Sequence, residues 1–230
     1  MRAVVNVADR HFVRGSARMR EALTKYGAGA EFLAWINRLP EGSPPHKAFP
    51  YAFKAWAILA AAERGFSSIL WMDSSILPIR DMEPLWEKIE RDGYFLGNNG
   101  WSNGQWTPDA AYPALDISRE ENWKVKHCVA GVIGLDLRHA IAVDFASEYQ
   151  RLSTTEAFRG PVWNANHPQH GKRPGAAPCG PPEVMGARHD QTAASVIAHK
   201  LGMELTDPPE FFCYRGGETE RTVIVADGSY

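Results

Sequence analysis

Residues 69–72, Ile-Leu-Trp-Met, form an apolar run that stops abruptly at Asp73, Ser74 and Ser75. A run this short, closed by polar turn residues, suits a strand buried on both faces of a parallel sheet. The flanking segments extend the pattern. Residues 3–7 and 32–36 read as strands, and residues 16–26 read as a helix with Ser16 as N-cap and Gly27 as its stop. The Ala-rich stretch 51–64 reads as a helix closed by Gly65. A second extended piece follows at 76–79. Asp81 then caps a helix in which Met82, Leu85, Trp86 and Ile89 recur at helical spacing, and Asp92-Gly93 ends it before a strand at 94–97. Strand and helix thus alternate four times in the first hundred residues. That order predicts an α/β fold with a mostly parallel central sheet flanked by helices. In such sheets ligands bind beyond the carboxyl ends of the strands, which is where Asp73 falls.

The second half is less regular. Residues 98–126 are rich in Asn, Gly, Trp and Pro, 128–137 read as a strand, and 139–152 as a helix with Ala142, Phe145, Ala146 and Tyr149 on one face. Residues 158–188 hold many prolines and glycines, a connection long enough to be functional or mobile. A last helix is expected over 190–201, stopped by Gly202. No internal repeat or domain boundary is visible, so residues 1–230 read as a single domain.

Composition narrows the function. The net charge of −2, with no long run of like charges, gives no nucleic-acid footprint. No stretch approaches the ~18 apolar residues of a membrane span, and the N-terminal apolar stretch is too short for a signal peptide. Cys128, Cys179 and Cys213 are odd in number and lack a CxxC, so reduced thiols and a cytoplasmic location are expected. Phosphate-binding GxxxxGK[ST], GxGxxG and esterase GxSxG motifs are absent. His167 and His170 lie three apart, but in a loop that is not helical, so a metal role there is not supported.

Four elements in order carry a resemblance. Residues 3–9, Ala-Val-Val-Asn-Val-Ala-Asp, followed by Gly15 and an amphipathic helix, look like a first nucleotide-binding strand and helix. Residues 69–75 look like an apolar strand leading into Asp-x-Asp, with Lys54 in the helix before it. Residues 129–135, Val-Ala-Gly-Val-Ile-Gly-Leu, resemble a donor-pocket strand, and 189–192, His-Asp-Gln-Thr, a late acidic motif. The chain resembles the GT-A nucleotide-sugar glycosyltransferases, in particular small glycogenin-like and related bacterial or viral sugar transferases.

That resemblance implies a GT-A-like fold with residues 1–97 as the nucleotide-binding half and 98–230 as the donor-sugar and acceptor half. It implies transfer of a hexose from a nucleotide sugar, UDP-linked, to a glycan or other hydroxyl acceptor. Asp190 is the catalytic candidate. Asp9, Lys54, Asp73, Ser75, Gly131 and Gln191 are candidates for holding the donor, and Asp73, Ser75 and His189 for holding Mn²⁺ or Mg²⁺. Trp101 and Trp106 are candidates for stacking on an acceptor sugar. Two positions depart from the pattern: Ser75 replaces the second acid of Asp-x-Asp, and Ala130 stands where many relatives have Asn. The first departure also motivates an alternative, a non-catalytic nucleotide- or glycan-binding protein of the same fold.

Overall fold

The computed structural model describes residues 1–228. Its central sheet has five strands: β1 (Arg2–Ala8), β2 (Glu31–Ile36), β3 (Ser68–Met72), β5 (Tyr94–Ser102) and β6 (Lys126–Asp136), in the order β2-β1-β3-β6-β5. β1 pairs in parallel with β2 and β3, whereas β6 runs antiparallel between β3 and β5. Four of the five strands therefore point the same way, and the sheet is mostly parallel as expected.

Alternation along the strands sorts the core into two layers. Ile69 and Trp71 of β3 face one side, with α2 (Phe53–Glu63), α6 (Ala140–Leu152) and α7 (Asp190–Lys200) packed against it. Leu70 and Met72 face the other, against α1 (Val13–Tyr26) and α3 (Glu83–Asp92), through Met19, Leu23, Leu85, Trp86 and Ile89. Every residue of β3 is buried, as a continuous apolar strand requires. Gly93 ends α3 in the left-handed region with φ 87°, where glycine carries no Cβ penalty.

The start of α1 differs from expectation, whereas α7 starts where expected. α1 begins at Val13, one turn early, because the backbone turns from Asp9 to Phe12 and Ser16 lies buried inside the helix. Asp190 is the first residue of α7, so its flanking N-cap is His189, and the Asp190 carboxylate is released for other work. Between β5 and β6 the chain also forms two short helices, α4 (Tyr112–Leu115) and α5 (Arg119–Asn122), in the Asn-rich segment.

A second sheet was not foreseen from sequence. β4 (Ile76–Pro78) pairs with β8 (Thr222–Ala226), and β8 pairs in parallel with β7 (Phe211–Tyr214). It clamps the turn after β3: the Asp227 N–H donates to the Ser75 carbonyl at 2.9 Å. Asp227 in turn pairs with Arg18 of α1, and with Arg215 at 2.8 Å. Among the described residues, no helix is long and apolar enough to cross a membrane.

Candidate active site

In a right-handed β-α-β unit the helix N-terminus returns to the carboxyl edge of the sheet. Lys54 sits in the first turn of α2, on the same buried stripe as Ala57, Ile58 and Ala61. It faces the side of β3 that carries Trp71 and Asp73, two positions apart and on one face of the strand. The lysine is only 2% exposed. Its Nζ lies 3.0 Å from Asp73 Oδ1 and 2.7 Å from Asp190 Oδ2, and donates to the Ala130 carbonyl at 2.8 Å. The contact with Asp190 is an ion pair bent outside hydrogen-bond geometry. Trp71 Nε1 adds a hydrogen bond of 2.9 Å to Asp73 Oδ1.

The Ala130 carbonyl is free to accept because β6 bulges. Leu96 of β5 pairs with Ile133, but the next residue, Gly97, pairs with Val129, so Ala130, Gly131 and Val132 are skipped on that side. Bulges of this kind re-aim backbone groups near functional sites. The Gly131 carbonyl accepts from the Asp73 N–H at 2.8 Å. A methyl group at Gly131 would stand 3.3 Å from Asp73 Oδ2, so glycine leaves the open side of that carboxylate clear.

The charges follow from burial and pairing. Burial alone would strip the proton from Lys54, but the two carboxylates outweigh it and hold its pKa above the usual lysine value. Asp190 is pushed up to about 6 by burial, against the pull of Lys54. It is therefore a carboxylate at neutral pH with affinity for a proton, the range useful to a general base. Asp73 keeps 37% of its side chain exposed and is the wet member of the trio.

The structure brings Asp73, Lys54, Gly131 and Asp190 together, but assigns some of them other work. Lys54 does not reach out to a ligand: its three partners are protein oxygens, and it orients the two acids. Gln191 Nε2 donates to the Cys128 carbonyl at 2.9 Å, tying α7 to β6. Ser75 is half-buried in the turn after Asp73, its carbonyl taken by Asp227. Its neighbour Ser74 turns inward to bond Asn6. Asp9 is exposed beyond β1. His189 packs its ring 5.7 Å from that of Tyr51, and burial lowers its pKa to about 4. Trp106 is buried and lies edge-on to Trp101 at 6.1 Å, so only Trp101, 46% exposed, offers a free face.

A resident divalent ion finds a thin donor set. Asp73 Oδ1 already serves Lys54 and Trp71, which leaves one open carboxylate oxygen, and His189 is turned to Tyr51. Among the described residues, no group of three or more His, Cys, Asp or Glu is placed to hold a metal. The residues present do not by themselves fit the ion that the resemblance implies.

Three site residues escaped the sequence reading. Tyr51 lies over Lys54, with Nζ 5.2 Å from its ring centre. Tyr214 arrives on β7 and is close enough to Asp73 and Arg188 to feel both charges. Arg188 stacks 3.9 Å from the Trp106 ring centre. Its position two residues before Asp190 was the one available signal. The Tyr214 signal was hidden, because the short β7 and β8 runs lack a recognisable period.

No protein-family pattern matches the sequence, and no curated protein matches it either. Solved structures do. Mouse xyloside xylosyltransferase 1 superposes with a TM-score of 0.53 at 11% identity, covering 99% of this chain and 97% of that one. The bifunctional glycosyltransferase WbbM superposes with a TM-score of 0.54 at 9% identity, covering 100% of this chain and 46% of that one. This chain thus spans less than half the length of WbbM. Together with the mostly parallel sheet, the bulged β6 and the acid at the end of β3, these likenesses show that the chain has the GT-A glycosyltransferase fold.

Proposed function

We propose that this protein is a glycosyltransferase that moves a hexose from a nucleotide sugar, UDP-linked, to a glycan or other hydroxyl acceptor. The observation that carries this reading is the buried ammonium of Lys54 holding Asp73 and Asp190 together at the carboxyl end of β3. A buried ion triad is costly to desolvate, and a fold retains one most readily where its polar groups have work to do.

In this reading the anomeric carbon–phosphate oxygen bond of the donor breaks, and the acceptor oxygen bonds to that carbon. The acceptor proton passes to the Asp190 carboxylate, whose pKa of about 6 suits it to receive one. Lys54 positions that carboxylate and stays out of the proton transfer. Asp73 presents its open oxygen to the donor, and Gly131 keeps the space above it free. Tyr51 and Tyr214, both partly exposed, form the rim of the cleft. No step is assigned to Mn²⁺ or Mg²⁺.

A second reading, a nucleotide- or glycan-binding protein without turnover, is favoured by one observation: Ser75 leaves Asp73 without a second acid in its turn. Donor hydrolysis and transfer, screened over UDP-, GDP- and CDP-sugars with either Mn²⁺ or EDTA, separates the two. Sugar release from at least one donor is the expected result. Nucleotide binding without release from any donor selects the second reading, and no binding at all rejects both.

A further inference from the structure

Beside the carboxylate pair the long segment before α7 builds a wall of tryptophan and arginine. Arg188 lies 3.9 Å from the ring centre of Trp106 and 5.3 Å from that of Trp163. Arg173 lies 4.1 Å from the ring centre of the same Trp163, whose ring is also 4.8 Å from that of His170. Trp101 continues the wall outward with a partly exposed face. Stacking of this kind orients a guanidinium but uses its face, and leaves its N–H edge available for an anion.

The wall has no acid of its own to answer it. Residues 160–188 carry Lys172, Arg173 and Arg188 against one acid, Glu183. Among the described residues none of the three cations forms an ion pair. Asp190 is the carboxylate whose charge reaches Arg188, and its ion pair is with Lys54 at 2.7 Å. The arrangement is tied by hydrogen bonds from within the loop. Buried Asn164 shares its two amide N–H groups among the carbonyls of Gly180, Pro181 and Val184, at 3.2, 2.9 and 2.8 Å, and so ties the two ends of the loop together. His189, at φ 47° and ψ −112°, holds a strained backbone between Arg188 and Asp190. That twist sends Arg188 to the tryptophans while Asp190 turns to Lys54. Strain at such a position persists only where the surroundings over-determine it.

We propose that this wall is a subsite for an anionic sugar, carrying a carboxylate or a phosphate, whose charge meets the edges of Arg188 and Arg173 and whose ring lies on the exposed tryptophan surface. This deepens the glycosyl-transfer reading, on which its assignment to the acceptor rests, by naming the acceptor's chemical class; the binding itself does not depend on turnover. Charge-assisted bonds to guanidinium are about twice as strong as neutral ones, so charged sugars should be preferred clearly over their neutral parents.

The test is an equilibrium titration of the full chain, followed by intrinsic tryptophan fluorescence. Probes are hexuronate-terminated disaccharides, phosphate-terminated disaccharides and the matched neutral disaccharides, with UDP titrated separately. At least one charged probe should bind tenfold or more tightly than its neutral parent, and which of the two binds identifies carboxylate or phosphate. Arg173→Gln, at an exposed position, should erase most of that preference, and Arg188→Gln the rest, with UDP affinity unchanged in both. No charged probe binding better than its neutral parent would overturn the proposal. So would an undiminished preference in the folded Arg173→Gln and Arg188→Gln proteins, or a loss confined to UDP affinity, which would place Arg188 at the donor instead. Failure of the transfer reading leaves these titrations readable, because none requires sugar release.

Discussion

Replacing Lys54 with methionine keeps a side chain of similar length on the core stripe of α2 and removes only the ammonium. Two acids then lose their counter-ion. An ammonium at ion-pair distance is worth up to ~4 kcal/mol to a carboxylate at an effective dielectric of ~20. Taking half of that as relieved by relaxation and by water at the exposed Asp73, Asp190 should be harder to ionise by ~2 kcal/mol, or about 1.5 pKa units. In the native protein Asp190 titrates at about 6, above the ordinary carboxylate range. A carboxyl group whose pKa is raised on folding contributes stability that is complete below its unfolded pKa and is lost as pH rises through the folded one. The variant pushes that loss to higher pH and makes it larger. Its deficit relative to wild type should therefore grow by about 1.5 kcal/mol between pH 6 and pH 8. A pH-independent deficit of ~1–3 kcal/mol from the orphaned Ala130 carbonyl lies beneath it. Urea unfolding followed by circular dichroism at several pH values measures both parts. A deficit that stays constant from pH 6 to pH 8 would refute the coupling between Lys54 and Asp190.

Three further outcomes are expected. Gly131→Ala places a methyl 3.1 Å from Ile76 Cδ1 and 3.3 Å from Asp73 Oδ2; it should lower stability by no more than ~1–2 kcal/mol yet weaken UDP binding measurably by calorimetry. Asn164→Ala takes the side-chain donor from the Pro181 and Val184 carbonyls, while Gly180 keeps Asn166, and should cost about 2 kcal/mol, with faster proteolysis confined to residues 160–188; cleavage spread over the whole chain would argue against a local role. Nucleotide sugar should slow proteolysis of the same segment in the wild type, and equal cutting rates with and without every donor would mark it as a passive insertion.

Much of the sheet could be read from the sequence because β1, β2 and β3 are short, apolar and separated by helices of clear period. Asp73, Lys54 and Asp190 were found for the same reason: each sits at the end of such an element. What could not be read were distances between elements. Lys54 read as a candidate for holding the donor, in the helix before β3. Only the packing of α2 on β3, and the β6 bulge that frees the Ala130 carbonyl, reveal it as the partner of two acids. The last helix starts at Asp190 as expected, but only the structure shows that His189 holds the cap position and that the Asp190 carboxylate turns to Lys54. β7 and β8 were invisible because four or five residues in a Pro/Gly-rich tail carry no period, so Tyr214 had no sequence signal at all. Trp106 read as a sugar-stacking face, but its burial depends on Trp101, Trp163 and Arg188 meeting from distant parts of the chain.

The carboxylate of Asp190 is the centre of the account, and Asp190→Asn tests it most directly. Asparagine preserves the shape of the side chain and still accepts a hydrogen bond, but it cannot take a proton at neutral pH. With a donor that the wild type turns over, the pH dependence of kcat in the wild type should fall on the acid side with a midpoint near 6. The folded variant should retain UDP affinity and lose at least about tenfold in kcat, equivalent to ~1.4 kcal/mol in barrier. Wild-type kcat in a well-folded Asp190→Asn protein, with the acid limb unchanged, would contradict the assignment.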